Sequence, residues 1–199
     1  MKYISHFFST ILHPLLMPLY GALILLYYVS FGILPPKLQL TGILIVALST
    51  LVIPALGIFT LYIFNVVKSM SLYARKDRLY PYIITLMCYS FCALVFYRMN
   101  FPTYIVGVII GGFISLFIDS IITLFWKISA HMTGIGGLLA VSTIIYQTNY
   151  IPLYLYLGII VLAGILGTSR IYLKCHTLGQ VLSGTINGFV CIYFSTLYL

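Results

Sequence analysis

Arg170 and His176 stand six residues apart in the stretch Ser169-Arg170-Ile171-Tyr172-Leu173-Lys174-Cys175-His176-Thr177-Leu178-Gly179-Gln180, a basic island between two apolar runs. An imidazole, with a reference pKa of about 6.5, can serve near neutral pH as a nucleophile or, protonated, as an acid. A guanidinium presents a planar fork of donors that matches phosphate oxygens. Ionisable groups gathered at the edge of apolar segments are costly enough to imply a task. Two further islands have the same character. One is Lys68-Ser69-Met70-Ser71-Leu72-Tyr73-Ala74-Arg75-Lys76-Asp77-Arg78-Leu79-Tyr80-Pro81, and the other is Lys127-Ile128-Ser129-Ala130-His131-Met132-Thr133-Gly134.

What these islands lack narrows the chemistry. The chain has two acidic residues, Asp77 and Asp119. A paired-carboxylate mechanism therefore has no second partner, and the carboxylates or three imidazoles usual for metal-assisted hydrolysis are missing. The combination left is a cationic pocket with histidines as nucleophile and acid. That combination suits a phosphoryl group, whose transfer depends mainly on positioning and charge stabilisation.

The elements that position the islands are membrane helices. Of 199 residues, 62% are hydrophobic and 6% charged, and the mean hydropathy is +1.15; a soluble domain carries about 25% charged residues. At roughly 20 residues per span, the chain predicts one all-α integral membrane domain over 1–199, a bundle of six to seven transmembrane helices. The net charge of +8 comes from scattered Lys and Arg. It points to anionic headgroups or phosphates and away from nucleic acid, for which no polar surface domain exists. Cys88, Cys92, Cys175 and Cys191 lack metal spacing and read as core residues with no disulfide framework. The N-terminus reads as the start of the first helix, with no cleavable signal.

The apolar runs fall at 8–33, 39–67, 82–97, 103–126, 135–147, 153–168 and 181–198. If each run crosses once, the three islands follow the second, fourth and sixth runs and emerge on one face. His6 and His13, seven apart, would share a face of the first helix, as interfacial residues or with a role at the site. Pro54 with Gly57 predicts a kink, and the glycines, Gly184-x-x-x-Gly188 among them, predict close helix contacts. Asp119 lies twelve residues before His131, roughly 18 Å along a straight helix. It therefore reads as a buried structural acid bonded to a neighbouring helix, and Asp77 as a counter-charge to its neighbours.

Ser169-Arg170, five residues and His176 resemble the third signature of the type 2 phosphatidic acid phosphatase superfamily, which also contains the vanadium haloperoxidases. Ser129-Ala130-His131 resembles its second signature, Pro-Ser-Gly-His. Lys68 and Arg75 have the spacing of its first signature, Lys, six residues, then Arg-Pro, with Arg78 and Pro81 as a competing register. The resemblance, closest to the bacterial membrane branch, covers about residues 68–180. The sequence departs from the pattern at Lys76 and Ile128, where proline is expected, at Ala130, where glycine is, and at Gln180, in place of an aspartate that orients the histidine.

The resemblance implies a hydrolase that acts on a lipid phosphate or isoprenyl pyrophosphate in a bacterial inner membrane, without a metal or other cofactor. His176 would be the nucleophile forming a phosphohistidine, and His131 the acid that protonates the leaving oxygen. Arg170, Arg75 or Arg78, Lys68, Ser129 and Ser169 would bind phosphate. Gln180, one turn beyond His176 if the segment is helical, would fix the imidazole tautomer without stabilising its cation. The competing expectation is a lipid-phosphate binding or transport protein with impaired catalysis. Positive charge on the island face argues for a cytoplasmic site, whereas similar bacterial phosphatases work on the outer side, so the orientation stays open.

Overall fold

The computed structural model describes residues 2–29, 34–69 and 75–198; Met70 to Ala74 of the first island lie outside the described residues. Among the described residues the chain forms helices and no strand: α1 (Lys2–Ile11), α2 (Met17–Tyr28), α3 (Pro36–Val46), α4 (Ile53–Ile63), α5 (Leu79–Arg98), α6 (Thr103–Phe125), α7 (Ala130–Gln147), α8 (Leu153–Tyr172) and α9 (Leu178–Tyr198). A π-helical turn, Ala47–Val52, joins α3 and α4 into one rod, Pro36–Ile63. Among the described residues, five helices are long and apolar enough to cross a membrane: this rod, α5, α6, α8 and α9. The protein is an all-α, multi-pass membrane bundle. α7 is comparably long but rich in glycine and polar residues, because protein rather than lipid surrounds it. α2 is a shorter apolar helix beside it.

Two expectations about the helices change. The first apolar run is not one helix: the chain turns at Leu12–Leu16 between α1 and α2. Pro14 has no N–H to continue α1, and Pro18 sits in the first turn of α2, where its fixed φ is tolerated. His6 and His13 therefore belong to different elements. The expected kink at Pro54 takes the form of a π turn just before it. Pro54 cannot donate to the Thr50 carbonyl, and the Ser49 and Thr50 hydroxyls bond back to the Ile45 and Val46 carbonyls.

The ends of α4, α5, α7 and α8 share one device. Each is followed by a residue in the left-handed region, Asn65, Asn100, Asn149 and Lys174, with φ of 57°, 55°, 60° and 53°. At α5, Phe101 N–H reaches the Phe96 carbonyl at 3.0 Å and Asn100 N–H the Tyr97 carbonyl at 3.1 Å. The two phenyl rings sit 4.3 Å apart, the apolar contact expected of a Schellman ending.

α7 and α9 both start at the island face and run side by side. Glycine makes their contact close: a Cβ on Gly184 would lie 2.7 Å from the Ser129 carbonyl oxygen, and one on Gly188 would collide with the carbonyl of Thr133. Alanine is the better helix former, but a backbone carbonyl cannot move aside as a flexible side chain can. Gly188→Ala should therefore destabilise the bundle by about 1–3 kcal/mol. Gly158→Ala should be neutral or stabilising, since nothing lies within 4 Å of a Cβ there. Thermal unfolding of the two variants in the same detergent checks the contrast.

Candidate active site

The turn between α6 and α7 draws the three islands together through its carbonyls. The Phe125 carbonyl accepts from Arg75 Nη1. The Lys127 carbonyl faces His176 Nδ1 at 3.3 Å, and the Ile128 carbonyl accepts from Arg78 Nη1 at 3.0 Å. Ser129 then caps α7, its carbonyl accepting from Met132 and Thr133 N–H. Ile128 is fully buried, which fixes the turn so that consecutive carbonyls point to different partners. A cavity of about 450 Å³ opens beside this turn, and its upper wall includes Arg78, Lys127, His131, Arg170 and His176.

Two helix ends set the Arg170–His176 spacing. α8 closes with Cys175 N–H on the Arg170 carbonyl (3.1 Å) and Lys174 N–H on that of Ile171 (2.9 Å); Lys174 takes the left-handed position. The chain reverses at once and brings His176 over Arg170. Thr177 caps α9 in a capping box: Gln180 N–H reaches Thr177 Oγ1 at 3.4 Å, and Gln180 Oε1 accepts from Thr177 N–H at 3.2 Å. His176 thus precedes the helix, and Gln180 reaches it by folding back rather than by sharing a helical face.

This geometry defines the tautomer of His176. Its Nδ1 lies 3.1 Å from Gln180 Oε1 and 3.3 Å from the Lys127 carbonyl. The carbonyl can only accept, and the Thr177 N–H requires the oxygen of Gln180 on this side. Nδ1 therefore carries the proton, and Nε2 is left with a lone pair. Burial, then the charges of Arg78 and Arg170, push the His176 pKa down to about 4, against a smaller upward pull from Gln180. Burial, then Arg78, also lowers the Lys127 ammonium from its usual range.

His131, in the first turn of α7, points Nε2 at the Ser9 carbonyl of α1, 3.2 Å away, so that nitrogen is the donor. His13 packs edge-on against it with ring centroids 5.4 Å apart. His13 Nδ1 accepts from Leu15 N–H at 3.3 Å, and burial, then Arg170, lowers its pKa. Of the two readings open for His6 and His13, at an interface or at the site, the cavity is where both are found. The signal that could have placed His13 there is His13-Pro14 inside an apolar run, a turn in which the imidazole is carried inward.

The remaining expected residues divide. Of the two arginines in the competing registers, Arg78 lines the cavity, while Arg75 braces the α6–α7 turn. Lys68 is exposed, and its backbone N–H meets Asp77 Oδ2 at 3.3 Å. Ser129 is fully buried, with no hydrogen bond to Oγ among the described residues. Ser169 lines a crevice between α1 and α8 with Ser5 and Phe8, away from the cavity, because its neighbour Arg170 takes the inward position.

Asp119 is the carboxylate among the described lining residues. Oδ1 accepts from Asn187 Nδ2 of α9 at 2.8 Å, the expected bond to a neighbouring helix, and Oδ2 has no hydrogen bond among the described residues. The separation of roughly 18 Å from His131 does not apply, because the chain reverses at 126–129. Asp119 and the first turn of α7 face the same cavity.

Because His176 is neutral in the fold down to about pH 4 and charged in the unfolded chain below 6.5, acidification across that window removes stability. Carbethoxylation of His176 by diethyl pyrocarbonate requires the neutral ring. Followed by peptide mapping, it should persist until the pH approaches 4. Arg170→Gln should move the midpoint up, and Gln180→Leu should move it down. Compared with known proteins, the chain matches no family model, no curated protein and no solved structure.

Proposed function

We propose that this protein is a membrane lipid-phosphate phosphatase that hydrolyses a phosphomonoester or pyrophosphate at the head of a lipid through a phosphohistidine, in the manner of the type 2 phosphatidic acid phosphatases. The observation that carries this reading is His176: Nδ1–H is held by two acceptors, and Nε2 is unprotonated beside Arg78 and Arg170. Arg78 and Arg170 bind the equatorial oxygens, and the first free amides of α7 add their positive end. His176 Nε2 attacks phosphorus as the bond from phosphorus to the lipid oxygen breaks. His131 gives that oxygen a proton, which the dianion bound between the arginines makes favourable for it to hold. Water then attacks the phosphohistidine, the P–N bond breaks, His131 takes the water proton, and phosphate leaves.

Gln180 favours a second reading. Its amide orients the imidazole as a carboxylate would but carries no charge to stabilise the phosphorylated ring. A lipid-phosphate binding protein with the same cavity needs only that orientation.

Phosphate release from lipid phosphates in detergent tests both. On the hydrolase reading His176→Ala falls to background, and His131→Ala loses about 10²–10⁴-fold. EDTA changes neither wild type nor variant, since no step above uses a metal. Gln180→Glu keeps the length of the side chain and the capping box and adds the missing charge. It should raise kcat severalfold, towards about tenfold, as a charged acceptor replaces a neutral one. A wild type no faster than His176→Ala, with retained binding of lipid phosphate, establishes the second reading instead.

A further inference from the structure

The cavity does not end at the cations. It follows α5 from Arg78 to Phe96, α6 from Asp119 to Ile105 and α7 from Ala130 to Val141. At 1.5 Å per residue these paths are about 27, 21 and 17 Å long. The turn at Pro14 and α2 as far as Leu26 close the side. The lining changes character with depth. Thr85, Ser115, Asp119 and Thr133 lie within about three turns of the cations, and deeper the wall is mainly apolar, with Leu25, Phe96, Ile105, Val108, Ile109 and Val141 beside Thr50 and Tyr89. These deep apolar residues belong to the buried core of the bundle or pack against it, not to its lipid-facing surface. Spread over about 20 Å of helix, a volume of about 450 Å³ leaves room for one extended hydrocarbon chain side by side with nothing else.

We infer that the ligand of this site is a single-chain lipid phosphate whose tail lies inside the protein, between α2, α5, α6 and α7, rather than in the bilayer. This rests on reading the cationic end as a phosphate site, and it adds the tail to that reading. A two-chain phospholipid can place only one tail in the channel, and its glycerol backbone would have to leave the second at the polar collar of Thr85 and Asp119. A single chain of about hexadecyl length reaches from Arg170 to the Phe96–Ile105 floor without that penalty.

The experiment uses wild-type protein in detergent with a non-hydrolysable hexadecylphosphonate carrying a diazirine on its last carbon. Irradiation and peptide mapping should place saturable label on the floor, around Phe96 and Ile105, and unlabelled hexadecyl phosphate should displace it better than dioleoyl phosphatidate does. Label confined to lipid-facing residues such as Phe117 and Ile121, or no saturable label, overturns the inference. In parallel, Val108→Phe fills the channel well below the cations. It should lower kcat/KM for hexadecyl phosphate by about tenfold or more and leave butyl phosphate near the wild-type rate. An equal loss for both chain lengths, with unfolding temperature unchanged, also overturns it. The labelling needs no turnover, so a protein that labels at the floor yet releases no phosphate defeats the hydrolase reading while sustaining this one. Turnover with label outside the bundle does the reverse.

Discussion

Successive backbone carbonyls of the α6–α7 turn are what the site depends on. The carbonyl of Phe125 holds Arg75, that of Ile128 holds Arg78, and that of Lys127 holds His176. Side chains from two distant parts of the sequence thus converge on atoms that no substitution at the turn itself can remove. The cations do not attract one another; they come together because each finds a fixed acceptor. With Ile128 buried and Ser129 capping α7, the turn cannot relax to separate them. The result is a pocket whose positive charge exceeds what the Asp119 carboxylate and the carbonyl dipoles offset. An arriving dianion completes such a pocket electrostatically, as preorganised donors do in phosphoryl transfer.

The glycine contact between α7 and α9 supplies the other half of the constraint. Gly184, in the second turn of α9, lies against the carbonyl of Ser129, the N-cap of α7, and Gly188 lies against that of Thr133, so α9 starts roughly 9 Å ahead of α7 along this contact. Their N-termini carry His131 on one and the His176–Gln180 capping box on the other. Two helix N-termini directed at the same face repel through their dipoles, and the packing below must hold them there. Fold stability and the placement of His131 and His176 therefore draw on the same contact.

Much of this was legible in the sequence, for reasons that can be stated. The one-face placement of the islands followed from counting apolar runs, since each crossing reverses direction, and Arg78, His131, Arg170 and His176 do line one cavity. The expected acid-to-helix bond of Asp119 is present as Asp119–Asn187. Other features depended on where helices stop, which apolar periodicity does not report. His13 turns inward because α1 ends before Pro14. Gln180 reaches His176 because Thr177 caps α9 one residue after the imidazole. Asp119 faces the first turn of α7 because the chain doubles back at Ile128. Lys68 and Ser169 have the right type and spacing but point elsewhere, and only packing decides that. The channel below the cations was invisible for a different reason: its lining is mainly apolar, and an apolar residue facing a cavity reads the same as one facing lipid.

Gln180 is where the physics pulls in two directions. In the proposed reaction, a carboxylate at this position would stabilise the imidazolium character that His176 would gain on attacking phosphorus, and it would raise the pKa of the free ring. It would also place a negative charge at the edge of the oxyanion pocket and weaken the field that Arg78, Arg170 and Lys127 create there. A neutral amide keeps that field intact and leaves the ring unprotonated well into acid. It keeps the tautomer too, since Oε1 accepts from both Nδ1–H and the Thr177 N–H. On the proposed function, glutamine rather than a carboxylate here would strengthen the ground-state hold on an anion and weaken support for the transition state, a bias towards tight binding and slow turnover.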